Sequence, residues 1–341
     1  MTTVDDTSEA SETAEGTTMR AVVLSGPGPV TNLEVRRLPL PVPEPGWVRI
    51  RVEAAGLNRS ELHTRLGLAE GVSFPRVPGI EATGTVDLDP DGVLTPGQQV
   101  VAMMGGMGRT FDGGYAEYTV VPRTQVVPFR SELAWQTLGA VPETLQTAYG
   151  SLTTGLDLRP GQTLLIRGGT KALGFAATAL AKDLGATVLA TTRSADRLAA
   201  LEDHGVDHPL VDDGDVAAQV RALLPDGVDA ALELVGTPTL PDTLRATRVH
   251  GTVCFTGMLS NEWTVPDFYP IGYLPTGVRL TAYGGDATDL PADVLQRFLD
   301  RMATGALSLG PVHAYPLDRV RDAHNDLEEG RRVGKLVLLM R

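Results

Sequence analysis

Between Gln162 and Arg193 the chain carries a strand, a glycine-rich turn, a helix and a second strand in direct succession, and few folds accept that order. Thr163 to Ile166 is a short apolar run suited to a buried parallel strand. Leu173, Ala176, Leu180 and Leu184 recur at helical spacing and form the expected apolar face of the helix. The turn between them is rich in glycine, with Gly168, Gly169 and then Gly174, and Thr187 to Thr192 supplies the next strand within about thirty residues, as a βαβ unit requires. Such a turn aims backbone N–H groups and the positive end of a helix dipole at one point, which suits a pyrophosphate. The stretch is therefore read as a dinucleotide site, with Gly168, Gly169, Thr170, Lys171, Leu173 and Gly174 around the phosphates. A bare motif of this kind also fits a tight glycine turn without a ligand.

The residues that close the second strand bear on which dinucleotide it is. A site for the unphosphorylated form usually has Asp or Glu about twenty residues past the glycines, bonded to the ribose 2′-hydroxyl. This chain has Thr191, Thr192, Arg193 and Ser194 there, with Arg197 one helical turn later. A carboxylate repels a 2′-phosphate, whereas a guanidinium among hydroxyls grips one through charge-assisted bonds. NADPH is the expected cofactor. The alternative is that Arg193 is a solvated loop charge and Ser194 caps the following helix.

At 341 residues the chain exceeds what one core usually serves, so two domains are expected. A net charge of -13 leaves no basic surplus to displace counterions from nucleic acid. Part of that charge sits in residues 1–18, where Asp5, Asp6, Glu9, Glu12 and Glu15 stand without a basic residue and almost without large apolar side chains; a disordered tail is expected. No segment has the make-up of a secretion signal or a membrane span, so a cytoplasmic protein is expected. Cys254 is the sole cysteine, which rules out internal disulfides and multi-thiolate zinc. It is expected in a buried strand as a small hydrophobe. His204 and His208 have metal-like spacing, but Gly205 and Pro209 break any helix that would align them.

Residues 19–138 are short alternating or apolar runs divided by Pro and Gly, which predicts a β-rich, partly closed barrel. From 139 to 290 strands alternate with amphipathic segments, which predicts a doubly wound parallel sheet, an α/β Rossmann-type fold. In 291–341 a helix from Ala292 to Ala303 is followed by GKLVLLM, an apolar strand with no sheet of its own, whose simplest home is the first module.

Taken with MRAVVL at Met19, EAAGLNRSELHTRLG from Glu53, FPRVPGIEATGTV from Phe74, GGYAEY from Gly113, TAYGSL from Thr147 and GKLVL from Gly334, this layout resembles the medium-chain dehydrogenase/reductase superfamily. Within it the chain is most similar to the zinc-free quinone oxidoreductase-like branch, and the resemblance implies that the β-rich module is GroES-like. It further implies cofactor contacts at Arg59, Thr147, Lys335, Leu234 to Gly236 by way of Val235, and Thr256 to Met258 by way of Gly257. Relatives commonly carry a small residue at Lys171, so this cation either strengthens the phosphate grip or narrows the site. A homodimer paired through the sixth strand, near Leu280 to Tyr283, follows from the resemblance alone.

In the zinc alcohol dehydrogenases that the chain resembles, metal ligands fall where it carries Asn58 and Ile80; an amide is a poor zinc ligand and an isoleucine is none. The third ligand position holds Glu143, open between a buried carboxyl of raised pKa and a plain surface residue. No metal site is expected. Asn58, Ser60 and His63 take the positions of the metal ligand, the hydroxyl relay and the proton relay, and are the expected catalytic groups, unless Ser60 and His63 only cap and orient a helix. Weak donors of this kind suit an electron-poor acceptor, a quinone or an α,β-unsaturated carbonyl, held in the cleft between the domains. Trp263, Phe268, Tyr269 and Tyr273 either stack on a flat ring or serve packing. Two other functions remain open on the same fold: a reductase or isomerase of natural-product biosynthesis, and a protein that binds NADPH without turning it over.

Overall fold

The structure, a computed structural model, describes residues 17–341. The acidic tail expected over residues 1–18 lies outside the described residues except for Thr17 and Thr18, and the first strand already begins at Thr18. The chain divides into two compact units: one runs to Pro142 and takes back His313–Arg332 and Leu336–Arg341, the other holds Glu143–Val312 and Val333–Lys335. These boundaries differ from the sequence-based ones in placing residues 291–312, with the helix Ala292–Ala303, in the second unit.

In the first unit, β1 (Thr18–Leu24) and β2 (Leu33–Pro39) form an antiparallel ribbon. The long strand β3 (Trp47–Leu57) pairs antiparallel with β4 (Glu81–Leu88) and with β6 (Tyr118–Pro122); β5 (Gln99–Met103) joins β4 to β7 (Val126–Pro128). Along β3 the side chains of Val48, Ile50, Val52 and Ala54 alternate into the core, the period-2 burial that its sequence dictates. Asn58 follows the end of β3, Glu81 opens β4 opposite Met103, and the chain turns after Met103; three strand ends therefore meet at one end of this sheet.

The second unit is a parallel six-stranded sheet built from β8 (Thr163–Arg167), β9 (Thr187–Thr192), β10 (His208–Val211), β11 (Val228–Glu233), β12 (Thr247–Phe255) and β13 (Arg279–Ala282). The spatial order β10-β9-β8-β11-β12-β13 is the doubly wound arrangement, with its switch point between β8 and β11. β14 (Val312–Pro316) and β15 (Lys335–Leu339) close the chain, and β15 pairs antiparallel with β3. Among the described residues no helix is long and apolar enough to cross a membrane.

The helix Ala172–Leu184 departs from its expected apolar face. Its buried residues are Gly174, Phe175, Ala176, Ala177, Thr178, Ala179 and Ala181, whereas Leu173 and Leu180 are half-buried and Leu184 is exposed. Small side chains let a helix lie close against a sheet, and leucines on that face would hold it off.

One histidine of the first unit carries a pH signature. His324, on the helix Val320–Glu328, is fully buried with both ring nitrogens unpartnered, and its ring meets that of Tyr115 edge-on at 5.9 Å. Burial, aided by the Arg65 charge, pushes its pKa down from 6.5 to about 3. The unfolded chain therefore binds the extra proton first, and the histidine lowers stability progressively as pH falls from about 6.5 toward 3. That gap is worth ~5 kcal/mol when fully expressed. His324→Leu is expected to be at least as stable as the parent at pH 7 and to flatten the decline between pH 6.5 and 4, as measured by urea midpoints at stepped pH. Parallel curves for the two proteins would refute the assignment.

Candidate functional site

In the second unit the glycines of the first βα turn are explained by distances. Gly168 has φ +87°, a conformation that side chains rarely adopt. A Cβ on Gly169 would stand 2.8 Å from the Ala190 Cβ, and one on Gly174 would stand 2.5 Å from the Gly169 carbonyl oxygen. The helix thus packs directly on the turn with Lys171 at its N-cap, so closely that no side chain fits at Gly169 or Gly174. Thr191 holds the turn from β9: its hydroxyl accepts from Gly168 N at 3.0 Å and its carbonyl from Gly169 N at 2.8 Å.

Thr192 ends β9, Leu234 follows β11 and Thr256 follows β12, so the residues expected around the cofactor lie along the carboxyl edge of one sheet. Arg193 is exposed and Arg197 half-buried at that edge, and the Ser194 hydroxyl donates to Asp196. Val235 N and Gly236 N both donate to Glu233 Oε1, at 2.7 and 3.1 Å, which fixes the turn after β11. Glu233 is fully buried, and burial pushes its pKa up against the pull of these donors. Gly257 packs on Leu234, where a Cβ would lie 2.5 Å from the carbonyl oxygen, while Thr256 shares a hydrogen bond of 3.0 Å with Ser151 and Met258 is half-buried.

Glu143 is not a plain surface residue: it is half-buried and paired. Its Oε2 lies 3.4 Å from the Nζ of Lys335, a lysine only 3% exposed, and its Oε1 accepts from the Thr147 hydroxyl at 3.0 Å. Gly334 forms a bridge with Lys171, so Lys335 is tied by its neighbour to the N-terminus of the helix that follows the glycine turn. Sequence reasoning missed this ion pair, since its members are 192 residues apart.

The first unit positions the other candidates. Asn58 is the N-cap of the helix Arg59–Leu66 in a capping box, its backbone N–H donating to Glu61 Oε2 at 2.9 Å, while Glu61 Oε1 accepts from Ile80 N at 2.7 Å. The Asn58 amide donates to the buried Glu81 at 2.9 Å, so one of its two N–H bonds is already committed. The cap is thus Asn58, not Ser60 or His63. Ser60 is half-buried and accepts from Arg109 Nη2 at 2.7 Å. His63 is 7% exposed, and Arg59 is half-buried at the first helical position.

Other candidates fall elsewhere. His204 stacks on Phe175 at 4.2 Å and His208 opens β10; among the described residues no group of three or more His, Cys, Asp or Glu side chains is placed to hold a metal ion. Cys254 is buried in β12, its thiol pushed up by burial. Phe268 and Tyr273 pack edge-on at 5.1 Å, while Trp263, Phe268 and Tyr269 keep exposed surface.

Comparison with known proteins matches residues 44–131 to the family described as alcohol dehydrogenase GroES-like domain and residues 204–338 to the one described as zinc-binding dehydrogenase. The human synaptic vesicle membrane protein VAT-1 homolog is 25% identical over 94% of this chain and 86% of its own length. A probable quinone oxidoreductase of Schizosaccharomyces pombe is 26% identical over 93% of this chain and 96% of its own. The native structure of mycobacterial Rv1454c complexed with NADPH superposes with a TM-score of 0.82 at 26% identity, covering 94% of this chain and 99% of that one.

Proposed function

The chain belongs to the medium-chain dehydrogenase/reductase superfamily, in its quinone oxidoreductase-like branch, and from that premise we propose that it is an NADPH-dependent oxidoreductase that reduces a quinone or an α,β-unsaturated carbonyl without a metal ion. The observation that carries this reading is the carboxyl edge of the parallel sheet, where a glycine cradle lies beside a β9 terminus that offers Arg193 and no carboxylate on the strand itself. When bound, the reduced nicotinamide supplies hydride.

The residues of the chain do the rest. Backbone N–H groups of the first helical turn, from Ala172 to Gly174, receive the pyrophosphate, with Lys171 adding charge. Arg193 and Thr192 receive the 2′-phosphate, with Arg197 one turn further on. Thr147, held by Glu143 and flanked by Lys335, orients the carboxamide end. On the first unit, Ser60 is the donor offered to an acceptor oxygen, with Asn58 beside it at the helix N-cap, and a hydrogen bond that strengthens as charge develops lowers the barrier. The zinc positions support the metal-free reading through their chemistry, since Asn58 spends its amide on Glu81 and the isoleucine at 80 has no donor atom. Cytoplasmic location and a homodimer formed at β13, the edge of its sheet, belong to the same proposal.

The test is NADPH oxidation, followed optically against a panel of quinones and conjugated ketones with and without a chelator. Turnover is expected to be unaffected by the chelator. Arg193→Glu is expected to weaken NADPH binding at least about tenfold and to leave NADH within about threefold. An equal loss for both cofactors would remove the 2′-phosphate role.

A further inference from the structure

We propose that Arg109 is the positioning residue that turns Ser60 into an oxyanion donor for the acceptor; this rests on the reading of Ser60 as an acceptor-side hydroxyl. A serine hydroxyl has one proton to give and two lone pairs to offer. Arg109 Nη2 occupies a lone pair at 2.7 Å, so the proton of Ser60 cannot point that way. It donates to no atom among the described residues, and the residue is half-buried. A cationic donor on the oxygen polarises the O–H bond and makes it a stronger donor in turn.

The charge of Arg109 is itself unspent. Among the described residues it has no carboxylate partner, and its Nε is buried without one. Neighbouring arginines of the same unit differ: Arg76 pairs with Asp112 at 2.8 Å, and Arg123 pairs with Asp91. A half-buried guanidinium left uncompensated beside a hydroxyl fits negative charge that arrives during the reaction.

The turn that carries it is braced. A Cβ on Gly108 or Gly113 would come within 2.8 or 2.1 Å of the Gly79 carbonyl oxygen, so these backbones lie against each other. Arg109 N and Thr110 N both donate to the Gly106 carbonyl, at 3.0 and 2.8 Å, and Met104 N donates to the Ile80 carbonyl at 2.7 Å. Ile80 N is bonded to Glu61, on the helix that carries Ser60. The bases of both side chains are therefore fixed through one segment, residues 78–80, which is the preorganisation that a donor pair needs.

Hydride addition to a conjugated ketone places a hydrogen and two electrons on its β-carbon, shifts the alkene pair toward the carbonyl and leaves the negative charge on oxygen, with the reduced nicotinamide as the donor that ends oxidised. One proton from solvent completes the product. Ser60 meets the oxygen while it is charged, and Arg109 holds the hydroxyl in that direction.

The test uses 4-nitrophenol, whose colour reports its ionisation, titrated onto the full chain with and without NADPH. The parent protein is expected to bind the phenolate in preference to the phenol, lowering the dye's apparent pKa by about one unit. Arg109→Met and Ser60→Ala are each expected to lose that preference, and Arg109→Lys to keep part of it. In turnover of 1,4-naphthoquinone or 2-cyclohexenone, Arg109→Met is expected to lower kcat about 10²-fold with the NADPH Kd unchanged, and the double variant to be no worse than Ser60→Ala alone. Dye titration by Arg109→Met that matches the parent, no dye bound by the parent, or losses that multiply in the double variant would each overturn the proposal. A parent protein that shifts the dye yet reduces neither acceptor would instead overturn the reductase reading.

Discussion

Arg167→Met is expected to destabilise the second unit by about 3–5 kcal/mol, the usual consequence of removing one partner from a buried ionic cluster. The arginine ends β8 with its side chain 1% exposed. It holds Asp212 through two bonds of 2.8 Å, from Nε and Nη2, and Asp242 through one of 2.7 Å from Nη1. Asp242 also accepts from Val216 N at 3.0 Å and Ala217 N at 3.3 Å, so the cluster fastens the start of a helix as well as two strand ends. Without the guanidinium Asp212 loses its cation, and Asp242 keeps only the exposed Arg245, at 3.1 Å. Arg167→Lys is expected to recover less than half of the loss, because an ammonium cannot reproduce the fork. Urea unfolding at pH 7 measures both, and a midpoint for Arg167→Met within error of the parent would refute the assignment.

Gly174→Val is expected to abolish NADPH binding, with an affinity loss of at least about 10²-fold, because the new side chain must displace either the helix or the turn. Its Cβ would stand 2.5 Å from one backbone atom of Gly169 and 2.7 Å from two more, and backbone cannot swing aside as a side chain does. The matched control is Gly284→Ala, a glycine of the same unit with nothing within 4 Å of its added Cβ. Circular dichroism and thermal midpoints separate lost binding from lost folding. A folded Gly174→Val that binds NADPH as the parent does would contradict the cradle.

What the sequence discloses and what it hides differ by physical kind. The glycine turn is legible because its packing depends on backbone, and the backbone requirement is written as Gly168, Gly169 and Gly174. β9 is legible to the residue, Thr187–Thr192, because an apolar run between a turn and an arginine leaves little choice. The face of the following helix is not, since leucine spacing favours one stripe while close packing selects Gly174, Ala177, Thr178 and Ala181. Hydrophobicity ranks those small residues below leucine, and only the nearness of the sheet reverses the order.

Ion pairs are hidden for a different reason. Glu143 with Lys335 and Arg167 with Asp212 and Asp242 join residues far apart in sequence, and no local period marks them. Arg109 lies in the turn after β5, where glycines at 105, 106, 108, 113 and 114 signal an irregular path without giving its course. That density of glycine, with one arginine inside it, is the only trace of the Ser60 partner that the sequence offers. Asn58 shows the same limit in reverse: its identity excludes a thiolate, but its commitment to Glu81 emerges only when β3 and β4 are paired.

The central claim is that a reduced, phosphorylated dinucleotide binds at the carboxyl edge of the parallel sheet. Titration calorimetry of the full chain with NADPH and, separately, with NADH tests it directly. One site per chain with NADPH bound at least about tenfold more tightly than NADH is the result this account predicts, and no heat of binding with either dinucleotide would contradict it.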